Sequence, residues 1–209
     1  MICLVSNKER EQGGNKMNSI FSETRKLTFL GVMLALTIVF VAVTAIPTAS
    51  ATMALLIFIP TIVTSIVMGP KAGALMGFLA GATTMLRAII APLNPFDVLF
   101  INPLVSILPR IFVGVTPYLI FKLIKSSIKN ETGDKVALIF AGAGGAITNT
   151  ALVMTMLYII YAQKVVEMVG VGFKVFLISI ITTNALIEAA AAAVLTVPAV
   201  IAYRKISKQ

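Results

Sequence analysis

The sequence predicts an all-α integral membrane protein, a compact bundle of six transmembrane helices with both termini cytoplasmic. Three observations predict it. Six long apolar runs, at approximately 27–46, 52–68, 71–90, 98–121, 136–161 and 173–202, take up most of the 209 residues. A helix needs about 20 mostly apolar residues to cross roughly 30 Å of hydrocarbon. Five runs meet or approach that length and 52–68 falls at its short end. Second, 58% of the residues are hydrophobic and the mean hydropathy is +1.00, more apolar surface than one soluble core can hide. Third, the cations alternate. Lys8, Arg10, Lys16, Arg25, Lys26, Lys71, Lys122, Lys125, Lys129, Lys135, Arg204, Lys205 and Lys208 share one side if six helices alternate. The other side receives Arg87, Lys164 and Lys174, and Arg110 lies inside a run. Cytoplasmic connections are enriched in Lys and Arg, which orients the bundle.

The chain divides into a polar tail (1–26), a six-helix transmembrane domain (27–203) and a basic tail (204–209). The first sixteen residues lack the apolar core and small-residue cleavage site of a signal peptide. Gln12-Gly-Gly-Asn-Lys-Met17 fits a purine-rich ribosome-binding tract ahead of a start codon, so translation is expected to begin at Met17.

The first run holds Gly31 and Ala35, a small-xxx-small pair on one helix face that admits a second helix closely. Packing within the bundle and docking of a partner both suit that spacing. The outer connection Pro47–Thr52 is short and uncharged, and Met68-Gly-Pro-Lys-Ala-Gly73 reads as a tight turn anchored by Lys71. Gly73, Gly77 and Gly81 recur every four residues along the third run, a pattern for close helix approach. An outer loop with Pro92 and Pro95 follows. The fourth run carries Pro103, Pro109 and Pro117, which predict an irregular, kinked helix. Ser126–Lys135 is the one long polar connection. The fifth run opens on Gly142-Ala-Gly-Gly145, which is no phosphate loop because no Lys-Ser/Thr follows.

Absences narrow the chemistry. With His absent and Cys3 the single cysteine, imidazole catalysis, a multi-Cys zinc site and an intrachain disulfide are excluded. No acid–base dyad has a recognisable spacing, so no catalytic residue, resident metal or cofactor is expected. The net charge of +9 belongs to tails and loops facing the lipid bilayer, with no nucleic acid as partner.

What remains is a polar constellation inside the runs: Arg110, Asn149, Asn184 and Glu188, with Arg87 and Asn102 nearer the outer surface. Ionisable groups in a membrane are costly, which makes them functional candidates. Asn102, Ser106 and Arg110 are spaced by four, as are Asn184 and Glu188, so each set shares a face. Facing inward, they form a polar column. Arg110 and Glu188 equally suit a structural ion pair. Arg87, unpaired in the sequence beside a Pro-broken loop, with Asn94 and Asn102, suits a carboxylate ligand. Tyr158 and Tyr161, at the outer end of the fifth run, suit either the membrane interface or a ligand.

Six runs, the small-xxx-small first helix, Met68-Gly-Pro-Lys-Ala-Gly73, Asn102-Pro-Leu-Val-Ser-Ile-Leu-Pro-Arg110 and Gly145-Ala-Ile-Thr-Asn-Thr150 together carry a resemblance. From about residue 25 onward the chain resembles the substrate-binding (S) subunits of energy-coupling-factor vitamin transporters, most closely the pantothenate type. The resemblance implies a bacterial plasma-membrane subunit that binds a vitamin in an outward-facing pocket. It implies docking through the first helix, here Gly31 and Ala35, onto a transmembrane coupling subunit, with two cytoplasmic ATPases using ATP and Mg. The family pattern at that face is usually Ala-xxx-Ala, and Gly31 departs from it while keeping the steric logic. An outer Arg with several Asn, few aromatics and no Trp suits a small flexible anion such as pantothenate. The set implied for its site is Arg87, Asn94, Asn102, Arg110, Asn149, Tyr158, Asn184 and Glu188. Pyridoxine, hydroxymethylpyrimidine and folate are alternative ligands. An autonomous secondary transporter using Arg110 and Glu188 is the alternative of another class.

Overall fold

Prolines and glycines divide this chain into its helices. The computed structural model describes residues 2–44, 56–92, 95–128 and 130–207, and among them every regular element is helical. The order is α1 (Ile2–Val43), α2 (Phe58–Met68), α3 (Pro70–Ile90), a 3-10 segment (Pro95–Ile101), α4 (Pro103–Ser106), α5 (Leu108–Val113), α6 (Thr116–Ser127), α7 (Glu131–Val169), α8 (Phe173–Ile180), a π-helical turn (Ile181–Ala185) and α9 (Leu186–Ser207). Five stretches are long and apolar enough to cross a membrane: Glu23–Val43, Pro70–Ile90, Pro103–Ser127, Thr132–Val169 and Phe173–Lys205. The run at 52–68 yields only the 11-residue α2, shorter than a full span, and Pro47–Thr52 lies outside the described residues. Large apolar side chains cover the outside of the bundle, with Ile90 73% and Leu123 70% exposed. Water would not tolerate such a band, and lipid requires it. The protein is an all-α membrane protein.

Local chemistry explains the boundaries. Gly69 takes φ 94°, open to glycine and strained for other residues, and Pro70 then starts α3 where its missing N–H costs nothing. The fourth run is more broken than a kinked helix. Pro103, Pro109 and Pro117 each sit in the first turn of a separate helix, α4, α5 and α6. Asn130 caps α7 by accepting from Gly133 N–H at 2.7 Å, and Gly170 ends it in the left-handed conformation. Within α7 the backbone leaves helical geometry at Tyr161, where the apolar run also ends.

Short α2 survives because protein surrounds it. Every residue from Pro60 to Ile66 is buried, and Phe58, Ile62, Val63 and Ile66 form one core with Val113, Phe121, Leu138, Ala146 and Ala192. A second core toward the α7–α8 turn joins Leu99, Val105, Val153, Leu157 and Val165. The glycine ladder of α3 packs against the broken fourth span, as its spacing predicts. A Cβ at Gly77 would run into the Arg110 carbonyl, and one at Gly81 would stand 2.7 Å from Ile107 Cα. At the end where α6 and α9 finish, Asp134 pairs with both Lys125 (2.7 Å) and Arg204, and Phe121 lies beneath both cations. A Cβ at Gly142 would stand 2.6 Å from the Ala192 carbonyl oxygen and one at Gly145 3.1 Å from Ile62, so the glycine cluster of α7 serves packing.

Candidate binding site

A polar layer separates the two cores. On α7, Asn149 and Thr150 lie between Ala146 of one core and Val153 of the other; on α5, Arg110 lies between Val113 and Val105; on α9, Glu188 stands one turn from Ala192. All four polar side chains are nearly buried, with Arg110 and Asn149 at 6% and Glu188 at 7% exposure. The layer brings together residues of three helices that lie 38 to 78 positions apart, which only helix packing achieves.

The guanidinium of Arg110 is held at one nitrogen and against two aromatic rings. Its Nη1 donates to the Val105 carbonyl at 2.8 Å, and the guanidinium lies 5.8 Å from the Phe58 ring centroid and 5.3 Å from that of Phe100. Such faces favour a cation. Among the described residues its Nε has no hydrogen-bond partner. The Oδ1 of Asn149 is likewise buried without one. Glu188 accepts from Thr150 Oγ1 at 3.0 Å and from Asn184 Nδ2 at 3.3 Å, leaving acceptor capacity on both oxygens. The π-helical turn carries Asn184 to this position.

Among the described residues Arg110 and Glu188 form no ion pair within 4.0 Å. A directly bonded structural pair is therefore not what the packing produces. Donor, acceptor and charge of both signs are instead presented at one depth.

The outer group differs from its expected form. Arg87 is not an unpaired cation: it grips Asp97 through both terminal nitrogens, one contact at 3.3 Å and the other shorter. The two side chains are only 15% and 10% exposed, a largely desolvated bidentate pair tying α3 to the 3-10 segment. Asp97 was not singled out in the sequence, since its partner stands ten residues away across a proline loop where no helical spacing applies. Asn102 is also occupied. Its Oδ1 caps α4 by accepting from Leu104 N–H at 3.0 Å, and its Nδ2 donates to Tyr161 Oη at 3.3 Å. Ser106 donates to the Phe100 carbonyl. The column of Asn102, Ser106 and Arg110 is broken at Ile107, where α4 stops and α5 begins. Asn94 lies outside the described residues.

Tyr158 is 60% exposed, packs on Phe173 at 5.1 Å and lines an outward-facing groove between α7 and the α8–α9 span. Gly31 and Ala35 are exposed on α1, and a Cβ at Gly31 would meet none of the described residues within 4 Å. The inner face of α1 is the one carrying Phe29, Met33, Thr37 and Val41. Thr150, Phe58 and Phe100 were missed as site residues. Thr150 adjoins Asn149 in sequence, but nothing local aims it at Glu188.

Comparison with known proteins bears on this arrangement. The model of the family described as "ECF transporter, substrate-specific component" matches residues 25–200. The chain is 29% identical over 164 residues to the pantothenic acid transporter PanT of Lactococcus lactis subsp. cremoris (strain MG1363), covering 72% of this chain and 77% of that protein.

Proposed function

The chain belongs to the family of ECF transporter substrate-specific components, and from that premise we propose that it binds pantothenate in the polar layer around Arg110 and delivers it to an ATP-driven importer. The observation that carries this reading is the Arg110 Nε, without a partner among the described residues and buried at the depth of Asn149 and Glu188. A carboxylate there gains a charge-assisted contact, with the ligand's hydroxyls and amide meeting Asn149 Oδ1, Asn184 and the spare capacity of Glu188. Arg110 takes the anchoring role over Arg87, whose charge Asp97 already neutralises. The similarity to a pantothenic acid transporter supports the choice of ligand.

The same reading includes six spans, with α2 as the short second one, and cytoplasmic ends for α1 and α9. Its partners are a transmembrane coupling subunit docking on the open Gly31/Ala35 face, and two ATPases that use ATP and Mg. Among the described residues nothing packs on Gly31, and Ala35 is exposed, which supports docking over internal packing.

Calorimetry on the purified chain tests the proposal, with pantothenate, pyridoxine, hydroxymethylpyrimidine and folate as the panel. Tight pantothenate binding lost in Arg110→Ala is the expected result. Tight binding of another vitamin overturns the ligand and keeps the family. A second reading, an autonomous carrier, draws on Arg110 and Glu188, two buried ionisable groups in the membrane that form no ion pair with each other. Purification without a coupling subunit and ATPases, together with transport by the chain alone, would favour it.

A further inference from the structure

On the perimeter of the bundle, outside the polar layer, α7 and the α8–α9 span leave a groove of about 720 Å³. Ile147, Ala151 and Met154 form one wall, and Leu177, Ile181 and Leu186 the other. The small side chains of Ala151, Ala185 and Ala189 create the space. Ile147 (55% exposed) and Leu186 (64%) show that it opens outward, toward lipid. The hydroxyl of Thr155 donates to its own helix at the Ala151 carbonyl (2.7 Å), so the lining offers water little to bind.

Length, charge and volume identify the occupant. From Ile147 to Tyr158, α7 advances about 17 Å at 1.5 Å per residue, close to half of the roughly 30 Å hydrocarbon core. The groove therefore spans about one leaflet. At the end next to the α7–α8 turn stand Tyr158, its ring tilted against Phe173, and Lys174, the one charged residue of the lining. Among the described residues no ion pair engages Lys174. A partner helix of that length, about 10 Å across, fills on the order of 1300 Å³ and would stand well outside the groove. An unfilled groove would forfeit dispersion contacts along its whole wall.

We propose that this groove binds one acyl chain of an anionic phospholipid, with the lipid phosphate on Lys174 and Tyr158 at headgroup level. In the orientation proposed above this is a lipid of the outer leaflet. Thr150 and Ala189 line the groove's inner end, and Thr150 is the donor to Glu188. The lipid thus leans on the back of the polar layer and keeps α8 and α9 against α7.

Native mass spectrometry of the full chain, released from nanodiscs of equal phosphatidylglycerol and phosphatidylcholine with matched acyl chains, tests this. Wild type is expected to retain phosphatidylglycerol over phosphatidylcholine by about fivefold, the value of one Lys near an anionic headgroup. Lys174→Gln should lose the preference and still retain lipid, and Ala151→Phe, which fills the groove, should lose both. An unchanged preference in Lys174→Gln, or unchanged retention in Ala151→Phe, overturns the proposal. Should Ala151→Phe fail to fold, wild type is photolysed with a phosphatidylglycerol carrying a diazirine in its acyl chain. Crosslinks concentrated in 147–158 and 177–189 are expected, and crosslinks spread evenly over α1, α3 and α6 overturn it.

Discussion

Glu188 on α9 accepts a hydrogen bond from Thr150 on α7 at 3.0 Å, across the seam where the two longest helices of the bundle's second half meet. The bond fixes which way the carboxylate faces. With Asn184 on its other oxygen, Glu188 is braced from two sides and still has lone pairs to offer.

Thr150→Val keeps the shape and removes the donor. Leaving a buried acceptor short of a partner costs about 1–3 kcal/mol, and here part of that cost falls on ligand affinity. Thermal unfolding and calorimetry on the purified variant are expected to show both losses, with Thr150→Ser restoring most of each.

Arg110 and Arg87 should separate cleanly. Truncating a charge that meets a buried counter-charge costs about 2–5 kcal/mol of binding, so Arg110→Ala should weaken pantothenate binding by roughly 30-fold or more. Arg110→Lys keeps the charge without the fork and should fall between. The fold should stay intact in both, as judged by gel filtration and circular dichroism.

Arg87→Ala takes from the buried Asp97 carboxylate its bidentate cation. Breaking such a pair costs about 3–5 kcal/mol of stability, so the thermal midpoint should drop while the molecules that remain folded bind normally. Replacing Asp97 by Ala as well should recover part of the loss. A folded Arg87→Ala protein that no longer binds would sink the assignment of Arg87 to structure.

Gly77→Ala tests how Arg110 is positioned. The new methyl group would meet the Arg110 carbonyl, and relieving such overpacking typically costs about 1–3 kcal/mol. Because α5 must retreat, lower stability and weaker binding are expected together, although residue 77 never touches the ligand.

Gly31→Leu probes the opposite situation. Open space surrounds that position, so stability and vitamin binding by the isolated chain should be unchanged. Co-purification with the coupling subunit, and uptake by cells, should be lost. Reduced vitamin binding in the isolated variant would show that the face belongs to the bundle.

The helical membrane class and the polar residues inside the spans were legible because both are properties of contiguous sequence. An apolar run sums over about 20 neighbours, and a lone Arg or Glu within it stands out whatever surrounds it. The glycine ladder at Gly73, Gly77 and Gly81 was legible too, since helical periodicity alone puts those residues on one face. Partnership was not legible. Arg87 seemed free until the 3-10 segment brought Asp97 to it, and Arg110 and Glu188 seemed natural partners until packing set them apart. Which face of α1 stays open, how three prolines divide the fourth span, and the common depth of Arg110, Asn149 and Glu188 all depend on helix rotation and offset. Those are decided by contacts such as Gly77 on the Arg110 backbone and Gly142 on Ala192, which join residues far apart in sequence and leave no periodic trace in it.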